Sequence, residues 1–221
     1  MGSTKRLNIR IVIVFSILNV FSSLSISGQD FKNTISIYNK NSLEGWNVHP
    51  SEYQDLWKIE NGVIIGGDGK NNIKENNYLY STEVFGDFEF RCLFRLSGDA
   101  SSGLINSGIQ YRSEIINNNM TGYQADIGAG YWGDIYDEHR RGKLVEGNLE
   151  TLDHILSESG WNSYIIRCKG NFHELYINGV KTCEYEEKNP DVPKIGLIAI
   201  QLHSGGNAKI EFRDLTITHL K

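Results

Sequence analysis

The chain has no long amphipathic helix, no internal repeat and no interdomain linker in its 221 residues. The missing helical period argues against an α-helical bundle, and the missing repeat against a solenoid or a propeller. There is no basic patch beyond the local cluster His139-Arg140-Arg141, and the formal charge is −5. Nothing here favours nucleic acid or an anionic membrane surface as a partner. Cysteine is scarce: Cys92, Cys168 and Cys183, with no C-x-x-C pair and no zinc-ligand spacing. An odd number leaves at least one thiol unpaired or paired between molecules. Cys92 alternates with Phe88, Phe90, Phe94 and Leu96, a core-face pattern. The thiols are therefore expected to be buried and to act as small hydrophobes, with a single disulfide as the alternative. The Glu-x-Asp-x-Glu strand signature of an ordinary glucanase is missing too. Asp134-Ile-Tyr-Asp-Glu138 begins with the wrong residue and reads as loop.

What is present begins with an export signal. Lys5, Arg6 and Arg10 precede an apolar run from Ile11 to about Ile26, and Ser25-Ile-Ser27 supplies small residues before Gly28. This is the order of a signal peptide. Ser16, Asn19, Ser22 and Ser23 dilute the run, which is short for a membrane span. The expectation is a signal peptide over 1–27, a single domain over 28–221, a periplasmic or secreted product, and no stable membrane insertion after cleavage. Loss of three basic residues takes the net charge to about −8 by the same count.

Strand signals dominate the remainder. Trp57 to Ile65 reads as two short strands around Asn61-Gly62, and Asn178-Gly179 marks a second tight hairpin. Tyr78–Thr82, Phe88–Leu96, Gly108–Ile116, Tyr123–Ile127, Trp161–Lys169, Phe172–Ile177, Val180–Glu186, Lys194–Gln201 and Lys209–Thr218 are further strand candidates. Asn117–Gly122 is expected to be a connection, 128–147 a loop dense in polar residues, and 148–159 one or two helical turns. Strands at this spacing predict an all-β, two-sheet antiparallel jelly-roll sandwich.

Three of these strands carry polar side chains two residues apart, where a strand projects them onto one face. They are Gln110, Arg112 and Glu114; Gln124 and Asp126; and Gln201 and His203. A buried face does not tolerate such groups without partners, whereas a face that holds a polar ligand requires them. The loop that follows adds Trp132, Tyr136, Glu138, Arg140 and Arg141.

At this point the chain resembles a known family. The elements Ser42-Leu-Glu-Gly-Trp46, Trp57…Glu60-Asn-Gly62, Asp87-Phe-Glu89 and Asn106-Ser-Gly-Ile-Gln-Tyr-Arg112 occur in order. Gly122-Tyr-Gln-Ala-Asp126, Ile135-Tyr-Asp137, Trp161-Asn162, Asn178-Gly179, Gly196 to His203 and Ile210-Glu-Phe-Arg-Asp214 follow. Their order and spacing resemble the 3-keto-disaccharide hydrolase domain family, over about Ile35 to Leu220. The resemblance implies a concanavalin A-like jelly roll and activity on glycosides already oxidised at the sugar 3-position. Gln124 stands where this family often carries an acidic residue, which moves the expected base to Asp126 or Glu114.

A ketone at C3 acidifies the hydrogen at C2. A base that removes it forms an enolate, which expels the group at C1, and water can add back afterwards. The reaction needs a base, an acid near the leaving group and a positive or hydrogen-bonding partner for the enolate oxygen. Glu114, Asp126 and His203 are the candidate bases, and Arg112, Arg140 and Arg141 the candidate cations. Tyr111, Tyr136 and Glu138 are weaker candidate acids. Gln110, Gln124, Gln201, Tyr136, Glu138, Arg140, Arg141 and Trp132 are the expected substrate contacts, the aromatic rings by stacking on sugar faces. A divalent metal ion held by Glu114, Asp126, Glu138 and His203 is an alternative electrophile, with no spacing motif behind it. The other functional reading is a non-catalytic carbohydrate-binding module on the same fold.

Overall fold

Three tight turns set the strand register. Asn61-Gly62, Asn117-Asn118 and Asn178-Gly179 hold both residues at positive φ, between 49° and 81°. Asn and Gly tolerate that region, and the resulting turn twists with its flanking strands instead of splaying them. The computed structural model describes residues 33–157 and 160–221. The expected signal peptide lies outside the described residues.

The strands run in chain order as β1 (Thr34–Ser36), β2 (Trp46–His49), β3 (Trp57–Glu60), β4 (Val63–Gly67) and β5 (Asn77–Phe85). They continue as β6 (Phe88–Asp99), β7 (Asn106–Ile116), β8 (Asn119–Gly128), β9 (Ile135–Glu138) and β10 (Gly142–Val145). A single helical turn, α1 (Leu149–Leu152), precedes β11 (Asn162–Lys169), β12 (Phe172–Ile177), β13 (Val180–Glu186), β14 (Gly196–Leu202) and β15 (Asn207–His219). One sheet has the order β13-β12-β11-β6-β15-β4-β3, with β1 also paired to β15. The other has the order β10-β9-β8-β7-β14-β5-β2. The result is an all-β jelly roll of two antiparallel sheets. No described helix is long and apolar enough to cross a membrane.

Period-2 alternation fills the space between the sheets. Phe88, Phe90, Cys92 and Phe94 of β6 face Ile109, Tyr111, Tyr123, Ala125, Ile127, Ile198, Ile200 and Leu202 from the opposite sheet, all nearly inaccessible. Each large side chain buried this way contributes roughly 1.5–3 kcal/mol. All three cysteines are free and buried. Burial pushes the Cys168 and Cys183 thiols up to about 12, so they behave as apolar filling.

Two expectations are corrected here. The segment Asn117–Gly122 is not a long connection: Asn117-Asn118 alone turn the chain, and β8 begins at Asn119. The stretch 128–147 is not all loop, since β9 and β10 extend the second sheet from it.

The larger correction lies in β7. Arg112 sits at φ 46°, in the left-handed region, and the pairing with β8 slips between Tyr111 and Glu114. Two residues of β7 oppose one of β8, which makes a β-bulge. An extra residue reverses the alternation beyond it. Ser113 therefore joins Gln110 on the outer face, Arg112 leaves it, and Glu114 ends on an exposed strand end on the other side. The Arg112 guanidinium closes one end of the sandwich. It donates to Gly86 O at 3.1 Å, Gly170 O at 2.8 Å and Asp87 Oδ1 at 2.9 Å. These partners lie in the β5–β6 and β11–β12 turns, so one side chain ties both sheets together. Arg112→Met should cost about 2–4 kcal/mol in urea unfolding, because it strands two carbonyls and a carboxylate. Arg112→Lys should recover less than half of that, since an ammonium cannot span a forked set of three acceptors. A loss below about 0.5 kcal/mol in Arg112→Met would remove Arg112 from this role.

Candidate active site

The outer face of the second sheet carries the polar side chains that alternation turns away from the core. Strand register aligns Tyr78, Gln201, Gly108 and Asp126 in one row across β5, β14, β7 and β8. The next row holds Tyr80, Ala199, Gln110, Gln124 and Tyr136. His203 follows Gln201 at the end of β14, and Glu138 follows Tyr136 on β9. These residues surround a cleft of about 170 Å³ lined by Leu104, Asn106, Gln124, Asp126, Tyr131, Tyr136, Glu138 and His203.

Asp126 is 3% exposed, and a directional chain of hydrogen bonds ends on it. The Ser113 hydroxyl donates to Gln110 Oε1 at 3.0 Å, and Gln110 Nε2 donates to Gln124 Oε1 at 2.7 Å. Gln124 Nε2 then donates to Asp126 Oδ1. Gly108 makes room for this chain. A Cβ there would stand 2.5 Å from Gln124 Cδ, so a side chain at 108 and this position of Gln124 exclude each other. With Oδ1 held, Oδ2 is the oxygen left to exchange a proton with a ligand. Burial raises the Asp126 carboxyl to about 8. The Gln124 bond opposes the rise, while Asp134 and Glu138 add to it through like charge.

The other cleft groups are tuned as well. Burial raises the Glu138 carboxyl, and His139 and His203 partly offset that rise. The His203 Nδ1 atom lies 2.7 Å from Ser204 O. A carbonyl can only accept, so Nδ1 carries the proton and Nε2 is the nitrogen free to meet a ligand. Asp134 stabilises the wall: its Oδ1 accepts from Gly147 N at 2.7 Å, and its Oδ2 pairs with Lys143 Nζ at 2.7 Å. Asp126 N bonds Asp134 O, and Gly133 N bonds Asp126 O, each at 3.1 Å, which fastens the Tyr131 turn beside the cleft.

The structure thus brings together Asp126, His203, Gln124, Tyr136 and Glu138. Gln110 supports them from behind, fully buried, and Gln201 sits in the same face bonded to Tyr78. Six expected residues are elsewhere. Arg112 and Glu114 are displaced by the bulge. Arg140 and Arg141 both clamp Asp137, which points inward because β9 alternates Ile135 and Asp137 in, Tyr136 and Glu138 out. Arg141 also forks onto Glu187, at 3.1 Å and 2.7 Å, and Glu187 accepts from the Tyr123 hydroxyl. These arginines serve the seam between the sheets and not the cleft. Trp132 packs on Phe94, ring centroids 6.2 Å apart, and its neighbour Tyr131 lines the cleft instead. Tyr111, a candidate acid, is buried in the core against Tyr123. Among the described residues, no three His, Cys, Asp or Glu side chains converge closely enough to share a metal ion.

Sequence reasoning missed Asn106, Leu104, Tyr131 and Ser113. Asn106 shares the alternation of Gly108 and Gln110 and was within reach of the same argument. Ser113 required knowledge of the bulge, and the two loop residues have no period to betray them.

The second sheet of the jelly roll thus presents a buried carboxyl, a second carboxylate and a histidine on its outer face. The chain belongs to the 3-keto-alpha-glucoside-1,2-lyase-like domain family, whose model matches residues 33–218. Among solved structures it is similar to a candidate glycosyl hydrolase from Parabacteroides distasonis ATCC 8503, with 16% identity and a TM-score of 0.62, covering 86% of this chain and 95% of that one. It is also similar to the carbohydrate-binding module CBM66 from Bacillus subtilis, with 13% identity and a TM-score of 0.58, covering 79% and 95%. At such identities the likeness establishes the fold. No curated protein matches the sequence.

The raised Asp126 carboxyl makes a stability prediction. It ionises less readily in the fold than in the unfolded chain, so the fold is favoured while Asp126 is protonated. That contribution is complete below about 3.8, the value of an aspartate in the unfolded chain, and is lost as pH rises through about 8. Asp126→Asn should therefore raise Tm above that of the native chain at a pH of about 9, with the difference closing near pH 4. An equal or lower Tm at the alkaline end would refute the burial argument.

Proposed function

We propose that this protein cleaves the glycosidic bond of 3-keto glycosides by proton abstraction at C2 and β-elimination, and that it acts after export. The observation that carries the reading is Asp126: a carboxyl held at one oxygen, buried, with its pKa raised toward the working range of a general base. Family membership supports the substrate class, and the basic-then-apolar residues 1–27 support export.

With the oxidised ring in the cleft, ionised Asp126 takes the C2 proton through Oδ2. The C–H electron pair forms the C2–C3 double bond, and charge moves to the C3 oxygen. The Asn106 amide and the Tyr136 hydroxyl are the neutral donors in the cleft that can stabilise it, in place of the arginines expected from sequence. The enolate then collapses. The C3 carbonyl re-forms, a C1–C2 double bond forms, and the C1–O bond breaks with its electrons going to the leaving oxygen. Protonated His203 delivers a proton to that oxygen from Nε2, the ring nitrogen left facing the cleft. Addition of water across the new double bond would make the net reaction a hydrolysis.

The test is aglycone release from a 3-keto glucoside and from its unoxidised parent. Release from the keto form alone is expected. The base must be ionised to act, so on the acid side of its optimum kcat/KM should rise as pH rises toward about 8. Asp126→Asn should lower kcat by about 10²–10⁴-fold with the fold intact. Cleavage of the parent compound would overturn the mechanism. Binding of sugar without turnover of either compound would favour a carbohydrate-binding module, a reading supported by the fold shared with CBM66.

A further inference from the structure

A groove of about 370 Å³ lies where an edge of one sheet meets an edge of the other, and it shares no lining residue with the Asp126 cleft. One wall is β1 and the residues that follow it, Ile35 to Asn39. The other is the second half of β5, from Ser81 onward, with Glu44 and Gly45 of the connection into β2 completing it.

Both walls are strand edges without a neighbour. β1 pairs with β15 alone. In an antiparallel pair, residues alternate between exchanging both backbone bonds with the residue opposite and exchanging none. Ile37 N donates to Leu215 O at 3.1 Å, and the same register sets Ile35 opposite Ile217. Ile35 therefore turns its peptide groups to β15. Thr34 and Ser36, one step out of phase, turn theirs to the open side. The Thr34 and Thr218 hydroxyls meet at 2.7 Å, the close side-chain approach of a pair that exchanges no backbone bonds. Across the groove β2 covers β5 only as far as Ser81, which stands opposite Trp46, and one further bond joins Thr82 N to Gly45 O at 2.9 Å. Beyond that point β5 pairs only with β14, on its other side.

The side chains at this edge are aliphatic or acidic. Ile35 is 43% exposed, and Val84, next to Glu83, is 54% exposed. The charged residues that line the groove, Glu44 and Glu83, are both acidic and both exposed. Among the described residues neither has an ion-pair partner. Carboxylates on the first sheet are matched by cations, as Glu211 is by Arg95 and Glu174 by Lys181.

We propose that this groove docks an extended, cationic peptide segment of a partner protein. The segment adds a strand to β1 through the peptide groups of Thr34 and Ser36. It sets an aliphatic side chain on Ile35 and places lysine or arginine beside Glu44 and Glu83. In strand addition the main chain supplies affinity, and alternate side chains supply specificity. An open strand edge is a template for such pairing. A second copy of this chain is a poor occupant, because a twofold contact would bring the same two carboxylates against one another. The inference is independent of the elimination chemistry.

The test is fluorescence anisotropy of the whole exported chain with a labelled heptapeptide. The peptide alternates threonine with lysine, isoleucine, valine and a second lysine, so that the last four share one face. One control replaces both lysines by glutamate, and another is N-methylated at alternate residues, which removes the strand donors. Each control should bind at least about tenfold more weakly than the parent peptide. The double variant Glu44→Lys, Glu83→Lys should reverse the preference toward the glutamate peptide. Both positions are exposed, so the fold is not at stake. Ile35→Asn should weaken the parent peptide by about threefold or more. No binding of the parent peptide, equal binding of either control, or an unchanged preference in the double variant would each overturn the proposal. Light scattering that shows a dimer abolished by Ile35→Asn would assign the edge to a second copy and overturn it as well.

Discussion

Arg112 holds a backbone conformation that side chains other than Gly and Asn seldom adopt, and its guanidinium is engaged by three acceptors that close one end of the sandwich. The two features support each other. The bulge rotates the side chain off the ligand face, and the buried hydrogen bonds offset the strain of the left-handed residue. Beyond the bulge Ser113 faces outward, where its hydroxyl starts the chain through Gln110 and Gln124 that ends on Asp126. Without that extra residue, Ser113 would face the core and an arginine would stand beside the cleft.

The sheet has two faces and treats charge in opposite ways on them. Inward, Asp137 is fully buried but meets Arg140 and Arg141, and Glu187 is held at about 2, with the Arg141 and Tyr123 bonds outweighing its burial. Outward, Asp126 is buried with an amide and no cation in contact, so its carboxyl is raised instead. A paired buried carboxylate is structural ballast for the seam. An unpaired one costs stability at neutral and alkaline pH, and such costs concentrate where chemistry is done. The positions of Arg140 and Arg141 follow from this division.

The hairpin that carries Met120 folds over the outer face, where Met120 is buried against Tyr78 and Ala199. The tight Asn117-Asn118 turn permits β7 and β8 to run long and twisted, and their tip lies over the face to reach His49. One supersecondary unit thereby supplies Asp126 to the cleft and Met120 to the packing of the same face.

Residue order alone was enough for the jelly roll, because period-2 alternation and Asn-Gly turns are local properties of a strand and its connection. It was enough too for the outward pairing of Gln124 with Asp126 and of Gln201 with His203, which lie in strands without an intervening bulge. Arg112 and Glu114 were assigned to that face by the same rule, and the rule failed at one residue in the left-handed region, whose stability comes from Gly86, Asp87 and Gly170, far away in the chain. Arg140, Arg141 and Trp132 looked like ligand contacts because a polar, aromatic loop is indistinguishable in sequence from an edge strand with a salt-bridged turn. The sequence by itself determined which side chains alternate and where the chain turns. Only the tertiary structure decided which carboxylate meets a cation and which is left in a cleft, because that depends on contacts between residues the chain order keeps apart.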